Sequence, residues 1–143
     1  MSLIAIIIFA ILTIISLIHI IWANGIFWPA KDEYSLVKMV VGEPSMRQMP
    51  SKKLTYIIAI IIFLGGIFAL WGGGIITLPL PLWIRELALF LLAFVFGTRG
   101  LAPLIVGKKL GEKTEPYKTL DKIIYAPLCL IISIGFVILL VNS

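Results

Sequence analysis

A single cysteine and a single histidine are all the chain offers to thiol or imidazole chemistry. Cys129 has no partner for an intramolecular disulfide and belongs to no CxxC motif. Thiol oxidoreductases built on four membrane helices need cysteine pairs, so that class is excluded. His19 alone cannot give bis-histidine haem ligation within one copy of the chain. Charge is scarce as well. Only 13% of the 143 residues are charged, against 61% hydrophobic, and the mean hydropathy is +1.13. Soluble domains are nearer one-quarter charged. No acid falls in the middle of an apolar run, which argues against a small-cation or multidrug transporter. No internal repeat suggests an inverted-repeat transporter.

What is present is apolar and long. Four runs, about 2–23, 54–72, 83–106 and 122–141, reach the roughly 20 residues a helix needs to cross a bilayer core. The expected fold is all-α, a polytopic membrane protein with four transmembrane helices in one bundle, and residues 1–143 are read as one domain. The opening MSLIAIII lacks a basic flank, so the first run is read as a spanning helix that stays attached. The third run is the least regular, because Arg99 interrupts it and Pro103 follows. It is read as continuing to 106, with LAPLIVG lying along the interface as the alternative.

The connections carry the charge. Residues 24–53 hold Lys31, Lys38, Arg47, Lys52 and Lys53; the stretch from 107 to 122 holds Lys108, Lys109, Lys113, Lys118 and Lys122. The opposite side has Arg85, paired in sequence with Glu86 as an interface anchor. The positive-inside rule then places 24–53 and 107–121 in the cytoplasm and both termini outside, in the cytoplasmic (inner) membrane. The net charge of +5 is thereby a topology and headgroup signal, not a nucleic-acid one. The segment YSLVKMVV from Tyr34 is expected to form a short interfacial helix. Gly65, Ala69 and Gly73, and Ala93 with Gly97, are spaced by four, as close helix contacts in lipid require. Ala126, Cys129 and Ser133 share a face of the last run, with Pro127 in its first turns. The four tryptophans fall near run ends, as in an aromatic belt.

Up-and-down topology brings the polar residues of the runs to the basic end. His19, Trp22, Asn24, Arg99, Asp121 and Tyr125 are the candidate ligand-binding residues, with Tyr56 near them. Thr13, Ser16, His19 and Ala23 fall on one helical face. His19 reads either as interhelical glue or as a ligand-contacting or proton-handling group. Arg99 reads as a snorkelling side chain, as an anion site, or as the partner of Asp121. Asp121 reads as a helix-start acid, and Tyr125 as a belt aromatic or a pocket wall.

Three patches resemble a family of small four-helix bacterial membrane proteins known only as a domain of unknown function (three-nine-nine-five). They are His19-x-x-Trp22-Ala23-x-Gly25 with Trp28-Pro29, Arg99-Gly100, and Leu120-Asp121-x-x-x-Tyr125-Ala126-Pro127-Leu128-Cys129-Leu130. The family's second glycine is Ile26 here, and its aromatic, charged stretch after the arginine is LAPLIVGKK. The resemblance implies the architecture and no activity. The expected function is therefore a structural or accessory membrane subunit that binds a partner. The alternative is a binding protein or enzyme for an amphiphilic or anionic ligand, with its pocket at His19, Arg99, Asp121 and Tyr125. No catalytic set, no metal site and no cofactor is expected. Expected partners are membrane lipids, with a membrane-protein partner or a second copy, and no nucleic acid.

Overall fold

The computed structural model describes residues 1–105 and 113–143. Among them there is no strand. Five helices follow one another: α1 (Ser2–Ala23), α2 (Glu33–Val40), α3 (Lys52–Gly72), α4 (Leu82–Ile105) and α5 (Tyr117–Val141). All but α2 are long and apolar enough to cross a membrane. The 22 residues of α1 at about 1.5 Å each match a core about 30 Å thick. The chain is a multi-pass helical membrane protein. The expected end of the third run at 106, and the basic residues Lys108 and Lys109, lie outside the described residues.

The bundle is two hairpins. α1 packs along α3, and α4 packs along α5. Fewer contacts join the pairs: α3 meets α4, and α1 and α3 meet α5. Leu12, Leu89, Phe136 and Leu139 are fully buried where all four helices converge. Outward-facing residues such as Leu3, Ile14, Ile60, Phe94 and Ile131 are exposed and apolar, as a lipid-facing surface must be.

Lipid tails are as apolar as leucine, so burial alone does not hold such helices together. Small residues and short hydrogen bonds do. In the first hairpin the buried Ser16 hydroxyl donates to the Ala59 carbonyl oxygen at 2.7 Å. In the second the buried Ser133 hydroxyl donates to Ala93 O, also at 2.7 Å. Gly97 lies so close to Ser133 that a Cβ would stand 2.9 Å from its Oγ. At Gly100 an added Cβ would meet the Leu130 side chain at 2.6 Å and Ala126 O at 2.9 Å. The stripe Ala93–Gly97–Gly100 is thus the seam of the second hairpin.

α1 stops where its sequence turns polar. Gly25 has φ 83°, a value glycine adopts without penalty. Its N–H donates to Trp22 O, and Ile26 N–H donates to Ile21 O, closing the helix with a Schellman motif. α2 begins on Asp32, whose carboxylate accepts from Ser35 N–H at 2.8 Å. The expected short helix inside 24–53 is this one.

Four sequence expectations change. The last helix begins at Tyr117, five residues before 122. Asp121 is therefore inside the helix and caps nothing. Pro127 is likewise an interior proline, and the turn before it is widened to a π turn over Asp121–Tyr125. Ala126 N–H donates to Asp121 O, five residues back. A proline ring presses on the carbonyl four residues before it and donates no bond to it; a wider turn accommodates both defects. Trp71, expected in a belt, is 3% exposed and lies under the Arg85 guanidinium, 6.0 Å from ring to Cζ.

Candidate functional site

The second hairpin carries the charged cluster. The π turn presents Asp121 toward α4, where Arg99 stands one residue before the seam glycine Gly100. Arg99 Nη2 donates to Asp121 Oδ1 at 2.7 Å and to the Tyr117 hydroxyl at 2.9 Å. The Asp121 side chain is 12% exposed and that of Arg99 is 39% exposed. The acid is therefore the desolvated member, and the arginine is the more exposed one. Tyr117, Asp121 and Tyr125 recur at four-residue spacing. The rings of Tyr117 and Tyr125 lie 5.8 Å apart.

The first hairpin carries a neutral cluster. Tyr56 on α3 donates from its hydroxyl to Asn24 Oδ1 at 2.8 Å, and Asn24 Nδ2 donates to Ile20 O at 2.8 Å. His19 Nδ1 lies 2.8 Å from Ile15 O. A carbonyl can only accept, so this contact requires the proton on Nδ1 and leaves Nε2 as the open nitrogen. The imidazole sits 5.1 Å from the Trp22 ring. Trp22 Nε1 donates to Trp28 O at 2.7 Å, tying α1 to the segment that follows it. His19 and Trp22 line a half-open cavity of about 130 Å³ with Val40, Val41, Met49, Pro50, Thr55 and Ile58.

The end of α2 stands between the two clusters. Val40 and Val41 wall the His19 cavity. One residue earlier, Met39 O accepts from the Tyr125 hydroxyl at 2.9 Å. One residue later, Gly42 has φ 70° and faces the Tyr117 ring so closely that a Cβ would collide with it. Thr114 N–H donates to Gly42 O at 2.9 Å, and Lys113 Nζ pairs with Glu43 Oε2 at 3.0 Å. The segment between α1 and α3 is thus a strap from the first hairpin fastened onto the second.

The six candidate residues therefore form two groups. Arg99, Asp121 and Tyr125 belong to one, with Tyr117. His19, Trp22 and Asn24 belong to the other, with Tyr56. No direct contact joins His19 to Arg99 or Asp121. Of the three readings of Arg99, the pair with Asp121 is the one formed. Among the described residues no three His, Cys, Asp or Glu side chains gather as a metal site would require.

Residues 12–136 match the model of the family described as Protein of unknown function (DUF3995). This chain belongs to that family. The match runs from mid α1 into α5 and takes in both clusters and the strap of the DUF3995 fold. No curated protein and no solved structure matches the chain.

Sequence reasoning missed Tyr117, Met39 O and Gly42. Tyr117 had a signal, its spacing of four from Asp121 and eight from Tyr125. It was obscured because TEPYKTLD is polar and reads as loop. The Met39 carbonyl had none, since a backbone acceptor leaves no mark in sequence.

Proposed function

We propose that the protein is a non-catalytic membrane subunit, structural or accessory, that binds a protein partner or a second copy of itself. The observation carrying this reading is that all six candidate residues already bond within the chain. Three of these bonds tie separate elements together: Asn24 to Tyr56, Arg99 to Asp121, and Tyr125 to Met39 O. In this reading the protein sits in the cytoplasmic membrane with the basic end inward and both termini outward. Its lysines and arginines there meet lipid headgroups and not nucleic acid.

The test is mass measurement and thermal unfolding of the full chain in lipid nanodiscs, for wild type, His19→Ala, Arg99→Ala and Asp121→Ala. Wild type is expected to remain with a partner or a second copy. The charged-pair variants are expected to melt lower and lose that assembly together. A lone monomer that releases a bound amphiphile in all three variants overturns the reading.

That outcome is the second reading, a pocket for an amphiphilic or anionic ligand. It is favoured by His19 in the cavity lining and by the partly exposed Arg99 side chain.

A further inference from the structure

We propose that Lys38 and Arg47 form a binding site on the strap for the phosphate of an anionic lipid headgroup. Both cations converge on one ring. Lys38 Nζ lies 5.1 Å from the Tyr34 ring centroid and Arg47 Cζ lies 5.6 Å from it. The two charges are no farther apart than the sum of those distances. Both side chains are long and jointed, so both can reach one headgroup.

Among the described residues no acid forms an ion pair with either cation. Asp32 directs Oδ1 to Ser35 N–H, and Glu33 directs Oε1 to Met49 N–H at 2.9 Å. The ion pairs among the described residues are Arg99–Asp121 and Lys113–Glu43, and neither includes Lys38 or Arg47. Two like charges beside one aromatic ring repel unless an anion joins them. A phosphate suits the pair, because Arg offers a bidentate fork and Lys a compact point charge.

The strap is also placed for a lipid. It joins the end of α1 at Ala23 to the start of α3 at Lys52, the level at which both apolar spans stop. Within it Ile26 is 57% exposed and Trp28 is 65% exposed, apolar side chains suited to the interface. The strap cannot swing away freely, since Met39, Gly42 and Glu43 are fastened to the second hairpin.

The test is native mass spectrometry of the full chain from phosphatidylcholine nanodiscs doped with phosphatidylglycerol. The readout is the ratio of retained anionic to retained zwitterionic lipid. Lys38→Gln with Arg47→Gln is expected to lower that ratio by more than the roughly fivefold per cation that any cation near an anionic surface contributes. Lys53→Gln with Lys122→Gln, two cations at the same end outside the cluster, is expected to lower it by no more than that. Equal falls for the two pairs overturn the site and leave a diffuse attraction only. Melting temperature in phosphatidylcholine alone checks folding: the cluster variant is expected to melt as wild type does, and loss of the fold there overturns a ligand role. Inorganic phosphate added to phosphatidylcholine discs is expected not to raise the melting temperature. A rise equal to that given by phosphatidylglycerol overturns the lipid as the source.

Discussion

The two hairpins solve one problem with different chemistry. Each has an apolar seam of small residues and one buried serine donating to a backbone carbonyl at 2.7 Å. At the basic end they diverge. The first closes with a neutral bond, Tyr56 to Asn24, and the second with an ion pair, Arg99 to Asp121. The neutral clamp loses little when one partner is removed, because the other turns to water at the membrane surface. The charged clamp is asymmetric. Its acid is desolvated and its base is part-exposed, so removing the base leaves a buried carboxylate without its partner. The hairpin with the charge is also the one that receives the strap.

The sharpest way to break this comparison is Arg99→Ala. It is expected to lower stability by about 3 kcal/mol, because Asp121 is buried and loses its partner. Asp121→Ala is expected to cost less, since Arg99 can extend to the headgroups. Thermal unfolding of both variants in the same nanodisc checks the order, and equal losses would remove the asymmetry.

Next come the seams. Gly100→Ala drives a methyl into Leu130 and Ala126 O and is expected to cost about 1–3 kcal/mol. Gly66→Ala, in the first seam, finds its nearest neighbour, the edge of the Phe9 ring, at 3.0 Å and is expected to cost less than that. The same melts read both. Tyr56→Phe removes only the neutral clamp and is expected to cost about 0.5–1.5 kcal/mol, toward the lower end because Asn24 is exposed. Ser16→Ala and Ser133→Ala are expected to match each other at about 0.6 kcal/mol, the membrane average for such bonds. A large difference between them would mean the seams are not equivalent.

The smallest effect concerns the strap. The Ser35 N–H bond holds the Asp32 carboxyl below its usual range. Its contribution is therefore present above the unfolded pKa and is lost as pH falls through the lower folded value. Amide exchange at Ser35 and Leu36 is expected to quicken, relative to intrinsic rates, on acidification. Asp32→Ala is expected to show that loosening at neutral pH.

How far the sequence revealed this depended on the physical signal. Hydropathy found the four spans, since lipid demands unbroken apolar runs, and α1 runs from Ser2 to Ala23 against an expected 2–23. It misplaced the start of α5 because hydropathy marks where lipid begins, not where hydrogen bonding begins. Tyr117 to Asp121 are helical above that level. The gathering of His19, Asn24, Arg99, Asp121 and Tyr125 at one end followed from up-and-down topology. Their division into two clusters did not, because it depends on which helices pair. The strap was hidden further: its anchors are the carbonyls of Met39 and Gly42 and a ring packed on a glycine.

The π turn has a consequence for the frame of the last helix. One extra residue in a turn advances everything before it by about 100° relative to everything after it. Below the turn, α5 keeps the phase that sets Ser133 and Phe136 against the other helices. Above it, the phase is the one that points Tyr117 and Asp121 at Arg99. The same chain wound as a regular helix through 121–125 could keep one of these alignments but not both. The wide turn thus works as a phase shifter, letting a single rod mesh with a lipid-level seam and with a surface-level clamp.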